Sequence, residues 1–211
     1  EAYKLLSEVP ESKLHKVLRL FNEMATEICE GQQYDVDFES QEHVTIEEYL
    51  KMIRLKTSVL LATALQIGSY LAGANEAQQE ALYQFGINVG LAFQIQDDIL
   101  DVWGDPKTFG KAVGGDISCN KKTYVYLTAQ KLADDELAEE LHQWYGSVLD
   151  DNTEKIAAVK GIFEQLNVRA ACEAVVEDYT QKALQILSGL PQNAETEQLR
   201  QLANKLNTRK D

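Results

Sequence analysis

Three aspartates, Asp97, Asp98 and Asp101, stand at positions i, i+1 and i+4 inside Leu91–Trp103, a run that is otherwise almost wholly apolar. In a helix Asp97 and Asp101 lie one above the other, with Asp98 about 100° around from Asp97. Each like-charged pair at a separation of roughly 4 Å and an effective dielectric near 20 would cost on the order of 4 kcal/mol. Gly104-Asp105-Pro106 is expected to end the helix, because proline disfavours helix at itself and at the residue before it. The aspartates then occupy the last turns, where the macrodipole is already negative. A solvated helix end would tolerate them, but Ile95, Ile99, Leu100 and Val102 leave little surface for solvation. A hard divalent cation held by carboxylate oxygens answers both unfavourable terms.

The segment Gly110–Thr123 follows, with glycines that let backbone approach a ligand and with Lys111, Lys121 and Lys122 close in sequence to the acidic helix end. It is not a Walker A loop: Ala112 replaces the Ser/Thr, the glycine spacing is one residue too long, and a helix precedes it. Read blandly it is a charged surface loop, which suits Lys107 and Lys122. Carboxylates that seek a cation beside lysines that seek phosphate read more specifically as a metal–diphosphate site.

Lys56-Thr57 sits in another apolar stretch, one turn before Leu60 and Leu61, where Lys56 could be an interior cation. Lys51 and Arg54 read as solvated charges. Gln94 and Gln96 lie on the acidic helix and need hydrogen-bond partners wherever they are buried. His15, His43 and His142 show no ligand spacing, and no Ser/His/Asp set can be assembled.

Long helices must position these residues. Apolar spacing predicts one over 12–30 with Gly31 as its stop, then a polar link from Gln32 to Val44. Thr45-Ile-Glu-Glu48 is a capping-box pattern opening a helix to about Ala72, with Gly73 ending it and Gly68 a candidate kink. Glu76–Trp103 carries the aspartates, and 104–120 is the one long irregular segment. Further helices are expected over 121–133, 135–149, 152–167, 168–188 and 194–207, with Leu190-Pro191 breaking the last pair. No segment alternates as a strand. The fold class is therefore all-α: a single helical domain over 1–211, a bundle of long, mostly antiparallel helices around a central cavity.

Composition narrows the partners. A formal charge of −14 argues against nucleic acid or an anionic membrane surface. No apolar run reaches a membrane span. Cys29, Cys119 and Cys172 are odd in number and widely spaced, which fits a reducing, cytoplasmic setting better than a disulfide framework.

Taken together, Phe93–Asp101, Gly104-Asp-Pro106, Gly110-Lys111, Gly114–Ile117 and Asn120-Lys121 resemble the second aspartate-rich region of trans-isoprenyl diphosphate synthases, with the nearest likeness to farnesyl diphosphate synthases. Gly31–Asp35 and Lys56-Thr57 fit two further motifs of that family, and the likeness runs to the Thr208-Arg209-Lys210 end. The resemblance implies the isoprenoid synthase fold, a homodimer and Mg²⁺. It implies an allylic diphosphate (dimethylallyl or geranyl) held between two DDxxD motifs through Mg²⁺, ionised, and condensed with isopentenyl diphosphate to farnesyl or geranylgeranyl diphosphate. Carried onto this chain, Asp97, Asp98 and Asp101 would hold metal, with Asp97 foremost. Lys56, Lys111 and Lys121 would contact diphosphate, Thr57 and Gln94 would line the allylic site, and Asp35 and Gln32 would stand behind them.

The departure is that the sequence holds one DDxxD only. The first aspartate-rich motif, its Arg-Arg pair and the isopentenyl diphosphate grip would belong upstream of Glu1, making this the C-terminal two-thirds of such a synthase and inactive alone. A non-catalytic partner subunit and a class I terpene cyclase are the alternatives. The retained aspartates and lysines count against the first, and DDILD in place of an NSE/DTE-type motif against the second.

Overall fold

The computed structural model describes residues 1–105, 113–147 and 149–207, and the described residues form helices joined by short links, with no strand among them. The helices are α1 (Ala2–Leu6), α2 (Glu11–Ser40), α3 (Ile46–Ile53), α4 (Val59–Leu71), α5 (Glu76–Trp103), α6 (Gly115–Ser118), α7 (Tyr124–Leu132), α8 (Asp135–Gly146), α9 (Thr153–Gln165), α10 (Val168–Ser188) and α11 (Ala194–Asn207). A π-helical turn, Arg54–Ser58, joins α3 to α4. The expected all-α class holds. None of these helices is long and apolar enough to cross a membrane.

Local sequence chemistry sets the helix starts. The Thr45 hydroxyl accepts the Glu48 amide while Glu48 reaches back to the Thr45 amide, the reciprocal pair expected of a capping box. Asn75 and Gln78 open α5 the same way. Helix α5 is the hub, packing along α10 on one side and α4 on the other. Its Ile95 and Ile99 are fully buried with Val59, Val125 and Val168 in the main core, and a smaller core gathers Phe85, Val89, Ala183 and Leu187.

Two sequence expectations fail here for one reason. Gly31 does not stop α2, which runs on to Ser40, so the link expected from Gln32 is helical for most of its length. Gly31 is instead buried where α2 crosses the π turn: a Cβ there would lie 2.8 Å from the Leu55 carbonyl carbon and would collide with the Lys56 amide nitrogen. The glycine is there for close approach, not for termination. Gly68 lies within an unbroken α4, and the irregularity of this long helix is the π turn ten residues earlier. That turn also alters the helical register, so Leu60 and Leu61 are exposed and give no guide to where Lys56 points.

Gly31→Ala is expected to destabilise the fold by about 1–3 kcal/mol or more through overpacking. Gly68→Ala, which meets nothing within 4 Å, should stabilise it by about 0.5–1 kcal/mol. Denaturant unfolding followed by circular dichroism checks both. Equal effects would contradict the crossing.

Candidate functional site

The C-terminal half of α5, the π turn, the end of α2 and the segment 116–123 enclose a cavity of ≈ 810 Å³. Asp97, Asp98, Asp101, Gln94, Lys56 and Lys121 all line it. Thr57 is not on its wall, but its hydroxyl donates to Gln94 Oε1 at 3.1 Å. Lys111 lies outside the described residues.

The three aspartates are not equivalent. Asp98 is buried, and its Oδ2 accepts the Tyr49 hydroxyl at 2.6 Å and the Tyr124 amide at 3.1 Å. The amide belongs to the first turn of α7, so Asp98 satisfies one of that helix's orphan donors. Gln94 Nε2 approaches its other oxygen at 3.4 Å. Asp101 Oδ2 accepts the Asp116 amide at 3.0 Å, and the Asp101 carbonyl accepts the Gly114 amide at 2.7 Å. Gly114 adopts φ +84°, which sets the tight turn into α6. Among the described residues no three His, Cys, Asp or Glu side chains converge as a ready metal cage. The expected trio is thus brought to one wall but not to one point.

The wall is nevertheless strongly electronegative. It carries Asp35, Glu39, Glu42 and Asp116 as well as the three aspartates, against Lys56, Lys121 and Lys122. Burial, with the Asp116 charge adding to it, pushes Asp98 up to about 7. The same two causes push Asp101 up to about 6. The donor chemistry fits a hard divalent cation: oxygen ligands only, in a partly dry wall whose carboxylates resist carrying their charges alone. Asp97 and Asp101 suit that role, because Mg²⁺ commonly takes one or two carboxylates and completes its shell with phosphate and water. Asp98 is committed to Tyr49 and Tyr124, so its part is to anchor the acidic turn.

The cations are placed by carboxylates. Lys56 Nζ sits 2.6 Å from Asp35 of α2, and Lys121 Nζ sits 2.9 Å from Asp116. Asp35, expected behind Lys56, pairs with it on the wall itself, whereas Gln32 is exposed and off the wall. Lys51 donates to the Tyr34 hydroxyl, and Arg54 lies 3.8 Å from Glu27, both away from the cavity. Lys122 corrects the reading of a solvated loop lysine: its Nζ donates to the Phe38 carbonyl at 2.8 Å, capping the C-terminal turn of α2.

Sequence reasoning missed several wall residues. His142, with Tyr126 and Tyr145 stacked at 3.9 Å between centroids, lines the far side. Asp116 was legible only as part of the loop. None of these has a spacing signal, since each reaches the site by tertiary packing.

Helices packed round a carboxylate- and lysine-walled cavity make this an isoprenoid synthase fold. More particularly, residues 1–166 match the polyprenyl synthetase family model, and the chain belongs to that family. A short chain isoprenyl diphosphate synthase of Methanocaldococcus jannaschii is 41% identical over 148 residues, covering 70% of this chain and 45% of its own length. A solved geranylgeranyl pyrophosphate synthase superposes with a TM-score of 0.92 at 44% identity, covering 100% of this chain and 65% of that one. A polyprenyl synthase from Caulobacter crescentus, complexed with calcium and isoprenyl diphosphate, gives 0.85 at 29% identity over 93% of this chain and 60% of its own. The chain thus spans about half to two-thirds of the length of these relatives.

Asp98 and Asp101 bind protons more readily folded than unfolded, so their contribution to stability is fully present at low pH. It is lost as pH rises from the ordinary carboxylate range through about 7. In metal-free buffer the melting temperature is expected to fall between about pH 4 and pH 7. Asp98→Asn, which keeps an acceptor for Tyr49 and Tyr124, should shrink that fall. A pH-independent melting temperature in the parent would contradict the assignment.

Proposed function

We propose that the chain is the allylic-diphosphate half of a trans-prenyltransferase, which condenses dimethylallyl or geranyl diphosphate with isopentenyl diphosphate. The observation that carries this reading is one cavity lined at once by Asp97, Asp101, Lys56 and Lys121 and by apolar Met52 and Ile53. Carboxylates alone would suit a structural cation, and lysines alone an anion. The combination suits a magnesium diphosphate with a hydrocarbon tail.

In this reading Lys56 and Lys121 hold the diphosphate oxygens, sharing their protons between the ligand and Asp35 or Asp116. Mg²⁺, when bound through Asp97 and Asp101, supplies charge neutralisation for the departing diphosphate. The allylic C–O bond breaks with its electron pair leaving on the diphosphate. The double bond of isopentenyl diphosphate then attacks the cation, and a proton is lost from the adduct. Gln94, held by the Thr57 hydroxyl on its Oε1, sets an amide oxygen beside the developing positive charge. Met52 and Ile53 exclude water that would quench the cation.

The co-crystallised isoprenyl diphosphate and calcium of the Caulobacter relative support this ligand class. The product is farnesyl or geranylgeranyl diphosphate, a choice supported by relatives named for farnesyl and geranylgeranyl synthesis. The working protein is a cytoplasmic homodimer built on this single helical domain. With one DDxxD in the sequence, the 211 residues alone bind the allylic diphosphate without turning it over.

Two substitutions test the site by isothermal titration with geranyl diphosphate and Mg²⁺. Asp97→Ala should abolish metal-dependent binding with helix content intact, and Lys121→Ala should weaken binding by roughly tenfold, as expected for loss of one charge-assisted contact. Unchanged binding in both, or steady synthase turnover by the 211 residues alone, would contradict the reading.

A further inference from the structure

Lys155, in the first turn of α9, is fully buried, yet it takes part in none of the ion pairs among the described residues. Its ammonium donates to the Asn120 side-chain oxygen and to the Ser147 carbonyl at 3.1 Å, and lies 5.9 Å from the centre of the Tyr145 ring. All three partners are neutral. A buried charge is costly, and burial pulls this ammonium below its ordinary range. A merely structural position would be served as well by an apolar side chain of similar length.

What the ammonium holds explains its presence. Asn120 sits at φ +56°, a left-handed conformation that Asn adopts when its side chain is held locally. The residues after it are pinned in turn: Lys122 to the Phe38 carbonyl, Thr123 as the N-cap of α7, and the Tyr124 amide to Asp98. Before it, Gly114 packs so closely on Ile156, the neighbour of Lys155, that a Cβ would lie 2.8 Å from Ile156 Cγ2. Helix α9 therefore backs both ends of the 114–120 segment. Within 120–123, Lys121 pairs with a carboxylate, Asp116, and both line the cavity.

We propose that Lys155 is a positioning residue for diphosphate binding: its ammonium, through Asn120, fixes the left-handed turn that aims Lys121 into the cavity. The inference rests on the reading of Lys121 as a diphosphate ligand. Lys155 itself does not touch the ligand. It acts through backbone that has lost its freedom to turn away, and so reduces what binding must spend on ordering the turn.

The probe is inorganic pyrophosphate with excess Mg²⁺, titrated calorimetrically into the 211-residue chain. Lys155→Met removes the ammonium and keeps the length. Asn120→Gly removes the acceptor, keeps the left-handed backbone accessible, and carries the test if Lys155→Met fails to fold. Each is expected to weaken pyrophosphate by roughly tenfold, the scale of coupling within one hydrogen-bond network. The Lys155→Met/Lys121→Ala double variant should bind no more weakly than Lys121→Ala alone, a non-additivity that a general loss of stability would not produce. Parent-like affinity in Lys155→Met, or in Asn120→Gly where Lys155→Met does not fold, overturns the inference, as does a full additive loss in the double variant. Parent-like affinity in Lys121→Ala overturns the diphosphate reading of Lys121, and this inference with it.

Discussion

One carboxylate ties the site to the fold. Asp98 receives the Tyr49 hydroxyl from α3 and the Tyr124 amide from the start of α7, so three helices meet on one oxygen of α5. Removing either donor would leave a buried acceptor short, and removing the acceptor would leave a buried hydroxyl and a helix-end amide unmatched. Because α5 is rigid there, fixing Asp98 also fixes Asp97 and Asp101 on either side of it. The acidic turn is held from within, and its neighbours are thereby presented to the cavity.

The same arrangement carries its own electrostatic cost. Asp98 and Asp101 are drawn toward protonation by burial and by Asp116, and the wall holds more carboxylates than ammonium groups. A fold selected for stability alone would not gather these charges at a helix C-terminus. On the proposed reading, an arriving cation would offset the cost, and a magnesium-bound anion would then sit where a free anion would be repelled. Lys56 and Lys121, each already beside a carboxylate, complement such a ligand without reversing the sign of the cavity.

Much of this was legible in the sequence where the signal is local. The capping box at Thr45, the extent of α5 and α10 and the all-α class follow from short-range spacing. What failed depended on contacts between distant elements. Gly31 reads as a helix stop until α2 is seen crossing the π turn, and Lys122 reads as solvated until the end of α2 lies under it. Lys155 has the right period for a packed helix, and nothing local marks it as a buried ammonium 35 residues from its Asn120 partner. The division of labour among the aspartates was hidden for the same reason, since Tyr49 lies 49 residues from Asp98.

The central claim is that the cavity takes a diphosphate only together with a divalent cation. Pyrophosphate titrated into the chain in EDTA and again in Mg²⁺ tests it most directly. The account predicts heat of binding in Mg²⁺ and none resolvable in EDTA, since the carboxylate wall repels a bare anion. Equally tight binding under both conditions would contradict it, because the lysines would then suffice and the aspartates would have no part in holding the ligand.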